Sequence, residues 1–208
     1  QYFYPVLLNQ LEVYVEDEET EEPVRISGDT LADMLTETTI LQNDSINRDQ
    51  LQRLIDFTKW IIEDGDNEII ELRSPGADYT PAWRSDLYLD EAINRRIEEA
   101  AAHFEEGSRV GFRVPVKVHP VNGVAYMAWF RVFMEKDRNL EEPDCHFIRD
   151  GITIVGVNPL KKKTLRAIVI IDDRRLSKLL GDAENPAHTE WSKDSPNFIG
   201  KYVDGDKT

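Results

Sequence analysis

The chain has 208 residues, of which 40% are hydrophobic, which is enough to build a core for one large domain or two small ones. Its 40 acidic residues outnumber its 25 basic ones, and the formal net charge of −15 disfavours binding of the average surface to nucleic acid or to anionic membranes. The single cysteine, Cys145, excludes an internal disulfide, and no apolar run approaches the roughly 20 residues of a bilayer span. We therefore expect a cytoplasmic protein.

The two ends of the chain are unlike ordinary termini. The sequence opens on an aromatic and apolar segment, Tyr2 to Leu8, without an initiator methionine, and closes shortly after a turn-like Asp204-Gly205. Chain ends are usually polar and loosely held. We therefore expect a piece of a longer protein, and the alternative is a processed whole protein.

The first half of the chain predicts a hairpin followed by helices. Leu11, Val13 and Val15 alternate with polar residues, and a second short strand follows an acidic run. Further along, apolar residues recur at steps of three and four, as on one face of a helix. The pattern predicts helices over residues 31–35, 51–62 and 89–104, with a strand over 68–72 and an irregular connector over 74–83.

After Gly107 the hydrophobic period changes from about 3.6 to 2, which predicts a sheet. The first strand, residues 110–118, contains Pro115, which cannot donate to a ladder and therefore predicts an edge or a bulge. Asn122-Gly123 predicts a tight turn with two positive-φ residues. Further strands are predicted over residues 124–135, 145–148, 152–157 and 165–171, the last of them fully buried, before a helix over 174–180.

These elements predict an α+β fold. An N-terminal hairpin with helices precedes a mixed, mostly antiparallel sheet with flanking helices, and the change of period divides the chain into portions 1–107 and 108–208. Neither portion contains a complete catalytic motif, so the residues alone do not name a reaction.

Several short blocks carry a resemblance to a known class of protein. They are Tyr2 to Leu7, Leu11 to Val13, Trp129 to Phe133, His146 to Thr153, Ile171 to Asp173, and Leu179 to Thr189. Together they resemble the region downstream of the nucleotide site in bacterial ATP-binding proteins of the GHKL class. That class groups gyrase B, the large heat-shock chaperone, MutL and histidine kinases, and the resemblance implies a transducer or middle domain.

The resemblance also implies what this chain lacks. The nucleotide-binding asparagine motif and the glycine-rich lid of the class are not found in the sequence. The implied partner is a missing N-terminal ATPase domain of the same protein, which would bind ATP and Mg²⁺, while this chain would be a non-catalytic fragment that couples ATP binding and hydrolysis to conformational change. The resemblance allows a homodimer, and the acidic charge argues against direct nucleic-acid binding by the fragment.

Arg149 is the first residue to which the resemblance gives a role. In the chaperone branch an arginine that follows a charged loop reaches the γ-phosphate, and Arg149 is similarly placed after residues 137–144. Such a cation would stabilise charge on the transferred phosphoryl group. The alternative is that Arg149 pairs with Asp150 or another nearby carboxylate.

A lysine loop is the competing phosphate contact. In the gyrase and MutL branches the equivalent cation is a lysine of a transducer loop, which points to Lys161, Lys162 and Lys163. A three-lysine loop between strands is also typical of a solvated turn.

Two other classes of function stay open. An acidic interaction module would dock a protein partner through Tyr79 and Trp83 in the connector. A metal-dependent hydrolase would use four side chains, namely Asp172, Asp173, Asp182 and His188. These residues also suit structural roles, with Asp173 as a helix cap and His188 in a hydrogen-bonded turn with Asn185 and Thr189.

Overall fold

The computed structural model describes residues 3–16, 22–31, 33–34, 47–75, 84–154 and 157–203. Its helices and mixed sheet confirm the predicted α+β class. The chain divides into two compact units, Gln1–Asp66 and Asn67–Thr208. The change of period at Gly107 lies inside the second unit, where a helix gives way to the sheet.

The first unit contains a two-stranded ribbon and two helices among its described residues. They are α1 (Phe3–Leu7), β1 (Val13–Val15), β2 (Val24–Ile26) and α2 (Arg48–Glu63). The antiparallel pairing of β1 with β2 confirms the predicted hairpin. Helix α2 begins where the Asn47 side chain accepts a hydrogen bond from the Gln50 N–H, and it buries Ile55, Phe57 and Ile61. The predicted helix over 31–35 lies partly outside the described residues.

The second unit is built on a six-stranded sheet. Its elements are β3 (Ile70–Glu71), α3 (Ser85–Tyr88), α4 (Glu91–Glu106), β4 (Val110–Val118), β5 (Tyr126–Lys136), β6 (Asp144–Arg149), β7 (Ile152–Ile154), β8 (Leu165–Ile171) and α5 (Arg174–Ala183). The strand order is β3-β4-β5-β8-β6-β7. β3 with β4 and β6 with β8 are parallel pairs, and the other pairs are antiparallel, so the sheet is mixed as predicted.

Pro115 lies where β4 is locally an edge. β3 covers β4 only opposite Phe112 and Arg113. The Arg113 carbonyl oxygen accepts from the Leu72 N–H, so the backbone of Pro115, two residues further, faces the same side beyond the end of β3. As a whole β4 is not the predicted edge strand, because it pairs with β3 as well as with β5, and only Pro115 lies at a local edge. Pairing with β5 continues through Pro115 without a bulge.

The turn between β4 and β5 differs from the prediction. Neither Asn122 nor Gly123 has a positive φ, so the predicted tight turn is wrong. The connection instead pairs with a distant segment, because Pro120 forms an antiparallel bridge with Tyr202. The connection is therefore held by this non-local pairing and not by a local two-residue turn.

A two-residue turn with positive φ does occur between β6 and β7. Arg149 pairs with Ile152, and the two residues between them, Asp150 and Gly151, have φ values of 49° and 84°. Asp-Gly is a preferred pair for such a turn, since glycine carries no Cβ and aspartate tolerates the left-handed region. The turn sets the direction of the strand end at Arg149.

The central strand β8 is buried along almost its whole length, which confirms the prediction for it. One face of the sheet packs against α5, with a core made of Val118, Ala128, Val169, Ile171 and Leu176. Because side chains alternate along a strand, Arg166, Ile168 and Ile170 lie on the opposite face. Candidate site residues therefore divide between two faces of the sheet.

Candidate functional site

Arg149 is the last residue of β6 and lies on the face that α5 covers. Its cross-strand partner on β8 is Ile171, which belongs to the core beneath α5. A Cβ atom added at Gly181 of α5 would lie 3.4 Å from Arg149 Nη1. The absence of a side chain at Gly181 therefore leaves room for the guanidinium between the sheet and the helix.

The guanidinium of Arg149 is held by Glu184, the residue that follows α5. Arg149 Nε donates to Glu184 Oε2 at 2.6 Å, and Arg149 Nη2 donates to Glu184 Oε1 at 2.9 Å. The Glu184 side chain is only 3% exposed and that of Arg149 13%. The pair is bidentate and well shielded from water, the geometry in which an arginine and a carboxylate interact most strongly.

Two further donors contact the same carboxylate. Trp191 Nε1 donates to Glu184 Oε2 at 3.2 Å, and His188 Nδ1 hydrogen-bonds to Glu184 Oε1. Burial raises the pKa of Glu184, but the hydrogen bonds from Arg149 and His188 outweigh that effect, and the pKa is lowered overall. Glu184 is therefore an ionised carboxylate at the centre of a small network.

Asp150 and Ser177 form the other side of the network. Arg149 Nη1 lies 3.3 Å from both Asp150 Oδ2 and Ser177 Oγ, and the Ser177 hydroxyl donates to Asp150. Ser177 belongs to α5, so the network joins the end of β6 both to this helix and to Glu184 just after it. In this structure Arg149 therefore pairs with carboxylates, as the predicted alternative to a phosphate contact has it.

The segment after α5 forms the predicted hydrogen-bonded turn. Asn185 Nδ2 donates to Thr189 Oγ1 at 2.8 Å, and Asn185 Oδ1 accepts from the Thr189 N–H at 3.0 Å. His188 has a φ of 55°, which is uncommon outside glycine. Its side chain is 45% exposed, so the imidazole connects the buried Glu184 to solvent.

The lysine loop lies at a different place from Arg149. Lys161 to Lys163 precede β8 at its Leu165 end, whereas Arg149 pairs with Ile171 at the opposite end. A strand rises about 3.3 Å per residue, so the two ends of β8 are roughly 20 Å apart. Lys162 Nζ lies 3.7 Å from Glu105 Oε1 and is well exposed. The two predicted phosphate contacts therefore belong to separate surfaces.

The four residues of the hydrolase alternative each have another partner. Asp172 accepts from Arg131 Nη2 at 2.7 Å. Asp173 is the predicted cap of α5 and accepts from the Arg175 and Leu176 N–H groups. Asp182 accepts from Lys201 Nζ and from the Tyr202 hydroxyl, both at 2.9 Å, while His188 contacts Glu184. No group of three or more histidine, cysteine, aspartate or glutamate side chains suited to a metal ion occurs among the described residues. Tyr79 and Trp83 of the interaction-module alternative lie outside those residues.

A buried ionic network that no sequence pattern predicted lies on the other face of the sheet. Arg166 of β8 is 0% exposed, and it donates to Glu135 Oε1 of β5 at 2.5 Å and to Asp144 Oδ2 of β6 at 2.7 Å. Both acids are its cross-strand partners. The only sequence signal was an arginine directly before an apolar run. This signal indicates a buried ion pair only when the strand order is known, because β8 lies between β5 and β6.

Comparisons with known proteins give no identification, since no family model, curated protein or solved structure matches the chain. Among the described residues, no helix combines the length and apolar character needed to cross a membrane.

Proposed function

We propose that this chain is the coupling region of a GHKL-type ATPase, in which Arg149 responds to the terminal phosphate of ATP held with Mg²⁺ by an N-terminal ATPase domain. The observation that carries the proposal is the bidentate pair of Arg149 with the buried Glu184. It ties a strand end of the sheet to the segment that follows α5, so one cation connects two elements of the fold.

The pair is suited to act as a switch because carboxylate and phosphate compete for the same guanidinium geometry. A terminal phosphate that binds Arg149 leaves Glu184 with Trp191 and His188 as its donors among the described residues, in a position almost closed to water. A buried carboxylate that loses its cation is strongly destabilised. The segment after α5 would therefore rearrange, so that phosphate binding at Arg149 would change the conformation of the chain.

Arg149 is preferred over the lysine loop for the same reason. Lys162 pairs with the exposed Glu105, an interaction of the kind that contributes little. Lys161 to Lys163 are well exposed, whereas Arg149 contacts both Ser177 of α5 and Glu184, the residue that follows that helix. An anion bound at the lysine loop would thus displace no buried partner.

The proposal is tested by ATP hydrolysis in a protein that contains the preceding ATPase domain. Arg149→Ala should lower the turnover rate by at least about 100-fold, as expected for loss of a phosphate-stabilising donor, with ATP affinity nearly unchanged. Arg84→Ala is the matched control, since Arg84 is an exposed arginine that pairs with the exposed Asp86.

The opposite pattern would overturn the assignment. One outcome is that changing the three lysines Lys161, Lys162 and Lys163 together to alanine abolishes turnover while Arg149→Ala does not. The phosphate contact is then the lysine loop. If the complete coding sequence holds no ATPase domain, the coupling function itself is wrong.

A further inference from the structure

A small pocket opens on one face of the six-stranded sheet. It has a volume of about 210 Å³, and its lining includes Arg113 and Pro115 of β4 and Met127 and Trp129 of β5. Pro115 pairs with Trp129, and the next residue, Val116, packs against the core beneath α5. Because side chains alternate along a strand, the four lining side chains lie on the opposite face. The pocket is therefore separate from the candidate site between the sheet and α5.

The size of the pocket limits its occupant to a single ring. Its volume equals that of about seven water molecules in the liquid, whereas pockets for drug-sized ligands usually measure about 300–1,000 Å³. A nucleotide, with a base, a sugar and phosphate, is therefore too large. One ring that carries a small substituent fits.

The walls of the pocket favour a flat aromatic ring. Arg113 Cζ lies 4.1 Å from the centroid of the Trp129 ring, so a guanidinium plane and an indole are held together at the pocket. Both groups stack on aromatic rings. Met127, which is 39% exposed, adds a thioether, and sulfur makes favourable contacts with aromatic rings. An aromatic ring therefore gains more from these walls than a saturated ring of the same size.

The charges at the pocket indicate a single carboxylate on that ring. Glu71 of β3 also lines the pocket, and its Oε1 lies 3.1 Å from Arg113 Nη1. The two side chains are 64% and 40% exposed, and exposed ion pairs contribute little to stability. A ligand carboxylate can thus replace Glu71 at the guanidinium at small cost. A phosphate also binds arginine, but its second charge is repelled more strongly by a chain of net charge −15.

We propose that this pocket binds a small aromatic carboxylate. The ring of the ligand lies against Trp129 and Met127, and its carboxylate takes the place of Glu71 on the guanidinium of Arg113. Binding at this pocket does not depend on Arg149 or on ATP. Because a ligand with one ring makes few contacts, the dissociation constant lies in the millimolar range.

Binding is measured by a two-dimensional NMR titration of the whole, isotope-labelled chain with benzoate. The signal to follow is the indole N–H of Trp129, which is identified by its loss in Trp129→Phe. Two control ligands separate the contributions to binding. Benzamide keeps the shape of benzoate without its charge, and cyclohexanecarboxylate keeps the charge without the aromatic ring.

Three variants test the two side chains that hold the carboxylate. Arg113→Gln removes the cation, and Glu71→Gln removes the carboxylate that competes with the ligand. Arg175→Gln is the matched control, because the Arg175 guanidinium also lies over an aromatic ring, 5.1 Å from the centroid of Tyr126, but outside the pocket.

Benzoate should shift the Trp129 signal and bind at least about ten times more tightly than benzamide and about three times more tightly than cyclohexanecarboxylate. Arg113→Gln should abolish the preference for benzoate over benzamide, and Arg175→Gln should keep it. Glu71→Gln should tighten benzoate binding by about two- to five-fold, because an exposed competitor is removed.

Equal binding of benzoate and benzamide by the unaltered chain would overturn the proposal, and this comparison needs no folded variant. Equal binding of benzoate and cyclohexanecarboxylate would overturn it as well, since the ring would then not be recognised as aromatic. Unchanged or weaker benzoate binding in Glu71→Gln would show that the ligand does not replace Glu71, and loss of the preference in Arg175→Gln would place the ligand elsewhere.

Discussion

Replacing Asp144 by asparagine should destabilise the second unit in a pH-dependent way. Asp144 Oδ2 accepts from the buried Arg166, and its Oδ1 lies 2.8 Å from His146 Nε2. Burial raises the pKa of this carboxyl, but the hydrogen bond and charge of His146, followed by those of Arg166, outweigh burial and lower the pKa from 3.8 to about 2. The ionised carboxylate therefore stabilises the folded chain.

The expected magnitude follows from the two pKa values. A fall from 3.8 in the unfolded chain to about 2 in the folded one corresponds to about 2 kcal/mol of stability wherever the carboxyl is ionised in both states. This contribution is fully present above about pH 5, is reduced to about half near pH 3, and is nearly lost at pH 2. Asp144→Asn should therefore cost about 2 kcal/mol at pH 5.5 and very little at pH 2.

The assay is urea unfolding followed by tryptophan fluorescence in a Trp60→Phe background, where the remaining tryptophans all belong to Asn67–Thr208. Asp86→Asn is the control, because Asp86 pairs with Arg84 at the exposed surface and its removal should leave the midpoint unchanged at every pH. If Asp144→Asn lowers the free energy of unfolding equally at pH 5.5 and pH 2, or at neither pH, the reasoning is refuted.

Three further predictions use the same unit. Arg166→Met should lower the free energy of unfolding by about 3–5 kcal/mol, because it leaves Glu135 and Asp144 without their buried cation, whereas Arg113→Met at the exposed pair with Glu71 should cost less than about 1 kcal/mol in the same urea assay. Burial, and then the charge of Asp144, raise the pKa of the Cys145 thiol from 9.0 to about 11. Alkylation by iodoacetamide at pH 8 should therefore be about 100 times slower than in the unfolded chain, and equal rates would contradict this. Gly111→Ala should lower stability by about 1–3 kcal/mol, because the new Cβ would lie 2.8 Å from the Phe133 ring. Gly123→Ala, whose Cβ would meet its nearest side chain at 3.5 Å, should be nearly neutral in thermal unfolding.

Local patterns were sufficient to predict most of the secondary structure. The alternation from Val110 to Val118 predicted β4, and the three- and four-residue spacing between Leu51 and Ile62 predicted α2. Both signals depend on which side of one element is buried, and that information lies within a short stretch of chain. The prediction of a tight turn at Asn122-Gly123 was wrong because the connection is held by a non-local contact, in which Pro120 pairs with the distant Tyr202.

The candidate site was predictable only in part, because its partners are far apart in sequence. Arg149 could be singled out, and pairing with a nearby carboxylate could be foreseen. Its main partner, Glu184, lies 35 residues further along the chain. Arg166 was missed for the same reason, since its acids come from β5 and β6, and only the insertion of β8 between those strands brings them together.

Hydrogen exchange in a protein that contains the proposed N-terminal ATPase domain tests the proposed coupling role of Arg149 most directly. The amides to follow are those of Asn185 and Ser192, which bond to the carbonyl oxygens of Glu190 and Ala183 and so report the segment held by Glu184. A non-hydrolysable ATP analogue with Mg²⁺ should speed their exchange in the unaltered protein and in the variant with the three loop lysines changed, but not in Arg149→Ala. An unchanged exchange rate in the unaltered protein, or the same acceleration in Arg149→Ala, would contradict the proposed coupling.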